Sequence, residues 1–327
     1  MVSQVKETAR KAEVARIAQA AEAARQEEAA RQEEAARQEE AARRGTELAR
    51  QNADKIAEAA KATEQTRIAK QAEAARQEPD RKAAEARAAA LKEAEARKKA
   101  TKDAPFENNL GMKFVRVPGT DVLFSIWNTR VRDYAVFAKE TGASISPPDF
   151  PQTPNDPVVN VSWEDAQAFC KWLTEKERSE GKIGADKVYR LPTDAEWSAA
   201  VGLPPESGAT PQDKDGKVKG VFSWGTQWPP LEGVGNYDSA LEVDSYVNTS
   251  PVGSFPANRF GLYDMGGNVW QWCEDWYRAP GSGSRVVRGA SWYSLDPESM
   301  WSSFRYFGNS GRRASDYGFR CVLGSSR

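Results

Sequence analysis

The sequence predicts an α+β protein in two parts: a charged helical arm over residues 1–104 and a loop-rich domain of short strands and helices over residues 105–327. Three observations divide it there. No Phe, Trp or Tyr precedes Phe106, and all eleven Trp follow it. The first part consists mostly of Ala, Glu, Arg, Lys and Gln, which are strong helix formers. The second is rich in Gly, Pro and aromatics, with short apolar runs broken by turn residues. A segment without aromatics and with few branched aliphatics cannot bury a core by itself. The core therefore belongs to the second part.

Within the arm the hexad AARQEE repeats from Ala23, Ala29 and Ala35. Glu27 precedes Arg31 by four residues, the favourable order for an ion pair along a helix. A step of six residues turns the Ala pair backwards by about 120°, given ~3.6 residues per turn. The Ala residues therefore spiral and form no single stripe, which argues against a long two-stranded coiled coil there. Val14, Ile17, Leu48, Ile56 and Ile68 are sparse apolar points for a partner helix or for self-association. Gly45 marks a potential kink. Pro79 is expected to break the helix, with a second segment from Asp80 to Lys99. The arm reads as a spacer, with a partner-binding arm as the alternative.

The net charge of −1 gives no bulk field for nucleic acid or an acidic membrane surface. The basic residues of the arm are matched by nearby Glu, as on a solvated helix. The first twenty residues contain no apolar run like that of a signal peptide, and no stretch approaches the ~20 apolar residues of a membrane span. The expectation is a soluble, cytoplasmic chain. There is no histidine. That excludes His-ligated zinc, two-His iron sites, Ser-His-Asp triads and Cys-His pairs.

In the second part, Met112 to Val117 alternates and ends at Pro118-Gly119, a strand followed by a turn. Ser162-Trp163-Glu164-Asp165 has capping-box-like spacing and opens a helix over Ala166 to Glu177, with apolar positions at Ala168, Phe169, Trp172 and Leu173. Thr193-Asp194-Ala195-Glu196 opens another through Trp197. These elements sit among ordered motifs: NLGMKF at 109–114, PVVNVSW at 157–163, RLPTDAEW at 190–197 and WG at 224–225. NRFGLYDMGGNVWQW at 258–272, RGASW at 288–292 and GFRC at 318–321 follow. Together they resemble the formylglycine-generating enzyme, or sulfatase-modifying factor, family over about two-thirds of the chain. The resemblance implies a C-type-lectin-like fold for this part and says nothing of the arm.

The resemblance also implies a chemistry. The family's enzymes oxidise a sulfatase cysteine to formylglycine, using two cysteines just after a G-G-S motif to hold copper. Gly289-Ala290-Ser291 aligns with that motif, and Ser291 matches a family active-site serine. The cysteine positions fall on Ser294 and Ser299. A hydroxyl is a poor ligand for Cu(I), so copper and the family activity are not expected. The family's iron-dependent branch needs histidines. Cys170 and Cys321 match a pair bridged in secreted relatives, and in a cytoplasmic chain they would be buried thiols. Cys273 reads as structural. Two structural calcium sites carry over as expectations. One takes Asn236, Tyr237, Asp244 and Tyr246, with both tyrosines contributing carbonyls; the other takes Asp264, Gly267, Val269 and Gln271. The family's Glu is Gln271 and its Asn is Asp264, so the second site keeps its charge.

Residues 292–317 combine dense aromatics with Ser, Asn, Gly and Asp, the composition of an adaptable recognition surface. In the family this segment lines the substrate groove, and in lectin-fold proteins diversified by retroelements it carries hypervariable residues. The candidate ligand contacts are Trp292, Tyr293, Ser294, Leu295, Phe304, Tyr306, Phe307, Asn309, Ala314, Ser315, Asp316 and Tyr317. All except Trp292 are types that randomised adenines in Asn codons can yield. The types so excluded, Trp292, Glu298, Met300 and Trp301, sit where scaffold residues are expected. The sequence thus points to a non-catalytic module that binds a protein or other macromolecular ligand. A formylglycine-generating oxidase and an adaptor working through its arm are the alternatives.

Overall fold

The computed structural model describes residues 2–326. Its first element is one continuous helix, α1 (Val2–Lys98). The hexads close their ion pairs as the spacing requires: Glu27–Arg31 at 2.6 Å, Glu33–Arg37 at 2.5 Å and Glu39–Arg43 at 2.6 Å. Val14, Ile17, Leu48, Ile56 and Ile68 are all exposed. The expected break at Pro79 does not occur, because the proline lies inside α1. Proline removes one N–H and crowds one carbonyl, but strong helix formers flank it on both sides. Glu78 also bridges the step by pairing with Arg81 at 2.8 Å and Lys82 at 3.3 Å. Gly45 is likewise within the helix. Among the described residues no helix is long and apolar enough to cross a membrane.

The chain forms two compact units, Met1–Lys82 and Ala83–Arg327. The second takes in the last turns of α1. There Arg97 donates to the Lys182 carbonyl at 2.8 Å, Glu93 pairs with Lys182 at 3.1 Å, and Ala100 is buried.

Five short strands make the first sheet: β1 (Phe106–Glu107), β2 (Lys113–Arg116), β3 (Leu123–Ser125), β4 (Lys187–Arg190) and β9 (Val322–Ser325), in the order β1-β2-β3-β9-β4. The second sheet has β5 (Trp270–Trp276), β6 (Ser284–Arg288), β7 (Tyr306–Asn309) and β8 (Tyr317–Gly318), in the order β7-β6-β5-β8. Only β8 runs parallel to its neighbour among these strand pairings. This is the loop-rich α+β domain expected from the sequence.

Four helices lie among the strands: α2 (Val131–Thr141), α3 (Trp163–Ser179), α4 (Asp194–Val201) and the short α5 (Pro211–Lys214). Both expected capping boxes form. Ser162 Oγ accepts from Asp165 N and the Asp165 carboxylate accepts from Ser162 N; Thr193 and Glu196 repeat this. Helix α3 buries Phe169 and Leu173 and leaves Ala168 exposed. Helix α2 was not expected, because Arg130 caps it in place of Ser, Thr, Asn or Asp; its guanidinium and backbone N–H both bond the Asp133 carboxylate.

The core holds Trp197 and Trp272, both fully buried, and each indole N–H has a partner. Trp272 donates to the Val161 carbonyl and Trp197 to the Gln271 amide oxygen. Beside them lies a buried charge cluster. Asp194, at the start of α4, accepts from Arg288 and Arg305, and Arg305 also binds Glu206. This cluster fixes the end of β6 and the residue before β7, so it sets where the second sheet presents its edge.

Candidate functional site

The turn Gly289-Ala290-Ser291 follows β6 with left-handed backbone at Gly289 and Ala290. A Cβ on Gly289 would come within 3.2 Å of the Gln271 amide nitrogen and 3.3 Å of the Met265 carbonyl, so the turn needs glycine there. It aims Ser291 at the Asp316 carboxylate, to which Ser291 Oγ donates at 3.0 Å. Burial pushes the Asp316 carboxyl above its usual range, partly offset by that hydroxyl.

The serines at the two family cysteine positions are used locally. Ser294 Oγ accepts from Ser291 N at 3.0 Å, and Ser299 Oγ donates to the Asp296 carbonyl at 2.6 Å. Both hydroxyls close turns. The thiols lie elsewhere and are all buried. Cys170 and Cys321 stand with sulfurs 3.5 Å apart as free thiols. Burial pushes Cys170 and Cys273 well above the ordinary thiol range, away from thiolate chemistry. Among the described residues no group of three acidic or cysteine side chains could hold a metal ion.

The candidate recognition residues divide by exposure. Tyr293 is 69% exposed, Leu295 48%, and Tyr306 and Phe307 39% each. Asn309 is exposed as well. Trp292, Phe304, Ala314, Ser315 and Asp316 are half-buried. Two expected contacts are corrected. Tyr317 is 2% exposed, because β8 pairs with β5 and sets its ring edge-on against Trp272 at 5.3 Å. Ser294 is 8% exposed, because its hydroxyl serves the turn. They support the face from beneath.

Two aromatic groups result. In one, Trp292 packs between Phe150 and Tyr293, and its indole N–H donates to the Ser315 carbonyl. In the other, Tyr306 packs on Trp270, which also meets Phe304, while Phe307 stacks on Tyr277 at 4.4 Å. Sequence reasoning missed Phe150, Trp270 and Tyr277. They lie outside residues 292–317, and only the sheet register and loop packing bring them there.

The two calcium sets differ in fit. In the first, the Asp244 carboxylate accepts from Tyr237 N at 3.0 Å and Tyr246 N at 2.8 Å, which fixes the loop bearing both tyrosine carbonyls. Asn236 Oδ1 is buried without a partner, while its amide nitrogen donates to the Asn248 carbonyl. An orphaned buried oxygen beside a carboxylate loop is what a hard cation would satisfy. This set fits calcium.

The second set does not. Gln271 Oε1 accepts from Trp197 Nε1 at 3.1 Å and Arg320 Nε at 2.7 Å. Both partners are obligatory donors, so the amide orientation is fixed. Its nitrogen then donates to the Asp264 carbonyl at 2.8 Å. A donor points where a ligand oxygen would be needed. Asp264 accepts from Gly253 N through one oxygen and keeps the other buried and unpartnered. Burial raises its carboxyl to about 6, against the pull of the Gly253 N–H and of Arg320. Besides the Gly267 and Val269 carbonyls the set then offers one free carboxylate oxygen, still well short of the six to eight oxygens that calcium takes. The balance of Asp264 against Gln271 therefore does not restore the site.

A model of the sulfatase-modifying factor enzyme 1-like domain matches residues 127–324. The inactive C-alpha-formylglycine-generating enzyme 2 of Bos taurus is 36% identical over 181 residues, covering 52% of this chain and 51% of that protein. The formylglycine-generating enzyme of Streptomyces coelicolor is 31% identical over 238 residues, covering 64% of this chain and 65% of that protein. The chain thus spans about half the length of the bovine relative and a little under two-thirds of the bacterial one. Among solved structures, Treponema denticola variable protein 1 matches 66% of this chain and 95% of its own, with a TM-score of 0.47 at 23% identity.

Proposed function

Since the chain belongs to the sulfatase-modifying factor enzyme 1-like family, we propose that it is a family member without the oxidase chemistry, a module that recognises a protein or other macromolecular ligand through residues 292–317. One observation carries the reading. Beyond the arm, eight large apolar side chains are exposed, and four of them, Tyr293, Leu295, Tyr306 and Phe307, lie in this one segment. Exposed aromatics on a fixed scaffold, with Asn and Ser between them, suit a binding surface. Ser294 and Ser299 where copper-binding thiols would be needed support a non-catalytic role. The exposed members of the segment are the ones free to vary without disturbing the core, which is consistent with diversification of Tyr293, Leu295, Tyr306, Phe307 and Asn309.

The test of the catalytic half is direct. The purified chain is incubated with Cu(I), oxygen and a peptide bearing C-x-P-x-R, and the products are weighed. No formylglycine is expected. Clear product would overturn the reading.

Calcium enters the same proposal as a structural ion held by Asn236, Asp244 and the carbonyls of Tyr237 and Tyr246. Millimolar calcium should raise the melting temperature by several degrees, and Asp244→Ala should abolish the rise. Gln271→Ala should leave the calcium-induced rise intact, even though it lowers stability. A calcium response lost with Gln271→Ala but kept with Asp244→Ala would reverse the assignment. The arm acts as a spacer, with self-association through Val14, Ile17, Leu48, Ile56 and Ile68 as the alternative. Sedimentation of the full chain separates the two.

A further inference from the structure

Lys and Arg number 46 in the chain, yet none occurs in three stretches of the second unit: residues 140–170, 220–258 and 289–304. The fold brings loops of all three together. Phe150 meets Trp292 edge-on at 5.7 Å. Gln152 Nε2 donates to Thr249 Oγ1 at 3.1 Å, and Val252 N to the Asn155 carbonyl at 3.0 Å. Asp238 N donates to the Ser294 carbonyl at 3.2 Å. Segments far apart in sequence thus share one neighbourhood and bring no cation to it.

The exposed apolar side chains follow the same division. Of the eight beyond the arm, six belong to these stretches: Ile145, Trp228, Leu231, Val247, Tyr293 and Leu295. The other two, Tyr306 and Phe307, lie on β7, where Arg278 stands 6.0 Å from the Phe307 ring. Four carboxylates accompany the loops that meet at Trp292 and Ser294. Asp149 precedes Phe150, Asp238 bonds Ser294 through its N–H, Glu242 ends the short turn Ser239–Leu241, and Asp296 follows Leu295. Asp149, Glu242 and Asp296 are exposed and Asp238 is half-buried. Asp238 and Asp296 accept the Ala240 and Ser299 N–H groups, and among the described residues none of the four is ion-paired. Asp244 does not belong to this set, because its carboxylate is turned to the Tyr237 and Tyr246 N–H groups. Cations mark the margins: Lys219 lies 5.8 Å over the Trp301 ring, Arg312 lies 5.2 Å over the Tyr317 ring, and Arg132 turns to Asp133 at 4.0 Å.

We propose that the face around Tyr293 and Leu295 docks a folded protein through a basic patch on that partner, with Lys and Arg set about an apolar centre. The inference rests on the recognition reading above and gives it a partner class. Tyr293 and Leu295 supply the apolar centre of the interface and the four carboxylates its charged rim. Like charges unrelieved by a cation repel one another, and an opposite charge brought by the partner relieves them. The apolar points are spread over separate loops, which a partner with a surface of its own meets together. Rim charges of this kind act mainly on the rate of encounter.

A display library on one small folded scaffold, with acidic, basic and apolar residues equally represented at its varied positions, is selected against the full chain. Calcium is present throughout, so that the loop bearing Asp244 stays in one state. Binders that lose affinity on Tyr293→Ala are taken forward. They should carry a clear excess of Lys and Arg over Asp and Glu. The variant Asp149→Asn/Asp238→Asn/Glu242→Gln/Asp296→Asn keeps the acceptors that Ala240 N and Ser299 N need, so its melting temperature should hold. It should slow association of these binders about tenfold at low salt, with dissociation little altered, and the difference should shrink at high salt. The pair Asp149→Asn/Glu242→Gln, whose carboxylates take no hydrogen bond among the described residues, should slow it in the same direction by less. Tyr293-dependent binders with no basic excess, an unchanged association rate in both variants, or a dimer of the chain formed through Tyr293 would each overturn the basic partner and leave the recognition reading standing. Recovery of no Tyr293-dependent binder would overturn both.

Discussion

Asp194→Ala should lower the stability of the second unit by about 3–5 kcal/mol, on the order of 10 °C in melting temperature. The residue is 1% exposed, and it faces two guanidinium groups that are themselves 0–1% exposed. Burial alone would push the Asp194 carboxyl up. Arg288 and Arg305 overcome that and hold it below the usual range. Removing the carboxylate leaves Arg288 with the Phe304 and Ser302 carbonyls, the Asp194 carbonyl and the Ser198 hydroxyl, but no counter-charge. A buried charge without a partner is far more costly than a pair is favourable. Arg305 keeps Glu206, so Glu206→Gln should cost less than Asp194→Ala. Arg288→Met in the Asp194→Ala background should recover much of the loss, because an apolar replacement removes the orphaned charge. Chemical denaturation of the three variants beside the unmodified chain checks this. Equal losses for Asp194→Ala and Glu206→Gln would show that the cluster shares its charge differently. The functional consequence lies one residue away. Arg305 leads directly into Tyr306 of β7, so ligand binding through residues 292–317 should weaken along with stability.

That cluster also shows what the sequence could and could not reveal. The capping boxes at Ser162 and Thr193 were legible because donor and acceptor lie three residues apart. Helix α2 carries its apolar face at Tyr134, Phe137 and Ala138, but an arginine cap gives no start signal. Pro79 misled for the opposite reason, since a local breaker was outweighed by strong helix formers on both sides. At the candidate site, composition located the aromatic segment but could not sort its rings. Tyr306 and Tyr317 look alike in sequence; one lies exposed on an edge strand and the other inside a parallel strand pair. The second calcium set failed on a non-local fact. Counting charge, Asp264 compensates for Gln271. In space, Trp197 and Arg320, far apart in the chain, dictate which end of the amide faces Asp264. Pairwise contacts across such distances leave no local pattern to read.

Stability should fall as pH rises from about 5 to 8, with Glu177 as a main cause. Its side chain, on α3, is fully buried and accepts from the Asn109 backbone at 2.9 Å and from the Tyr189 hydroxyl at 3.5 Å. Burial raises its carboxyl to about 7 from an ordinary 4.5; the Asn109 N–H, Lys182 and Tyr189 oppose this, and Glu180 adds to it. A folded-state value above the unfolded one means that folding favours the protonated form. The contribution is complete below about 4.5, is lost as pH climbs, and is gone above about 7. A gap of this size corresponds to roughly 3 kcal/mol as an upper order of magnitude. Asp264, raised to about 6, slopes in the same direction, so one variant removes only part of the trend. Glu177→Gln keeps an acceptor for Asn109 and carries no charge at any pH. It should match the unmodified chain near pH 5 and exceed it at pH 8 by up to that amount. Urea midpoints at the two pH values decide the matter. An unchanged pH slope in Glu177→Gln would mean that the carboxylate is relieved by water or by Lys182 in a way the buried geometry does not provide.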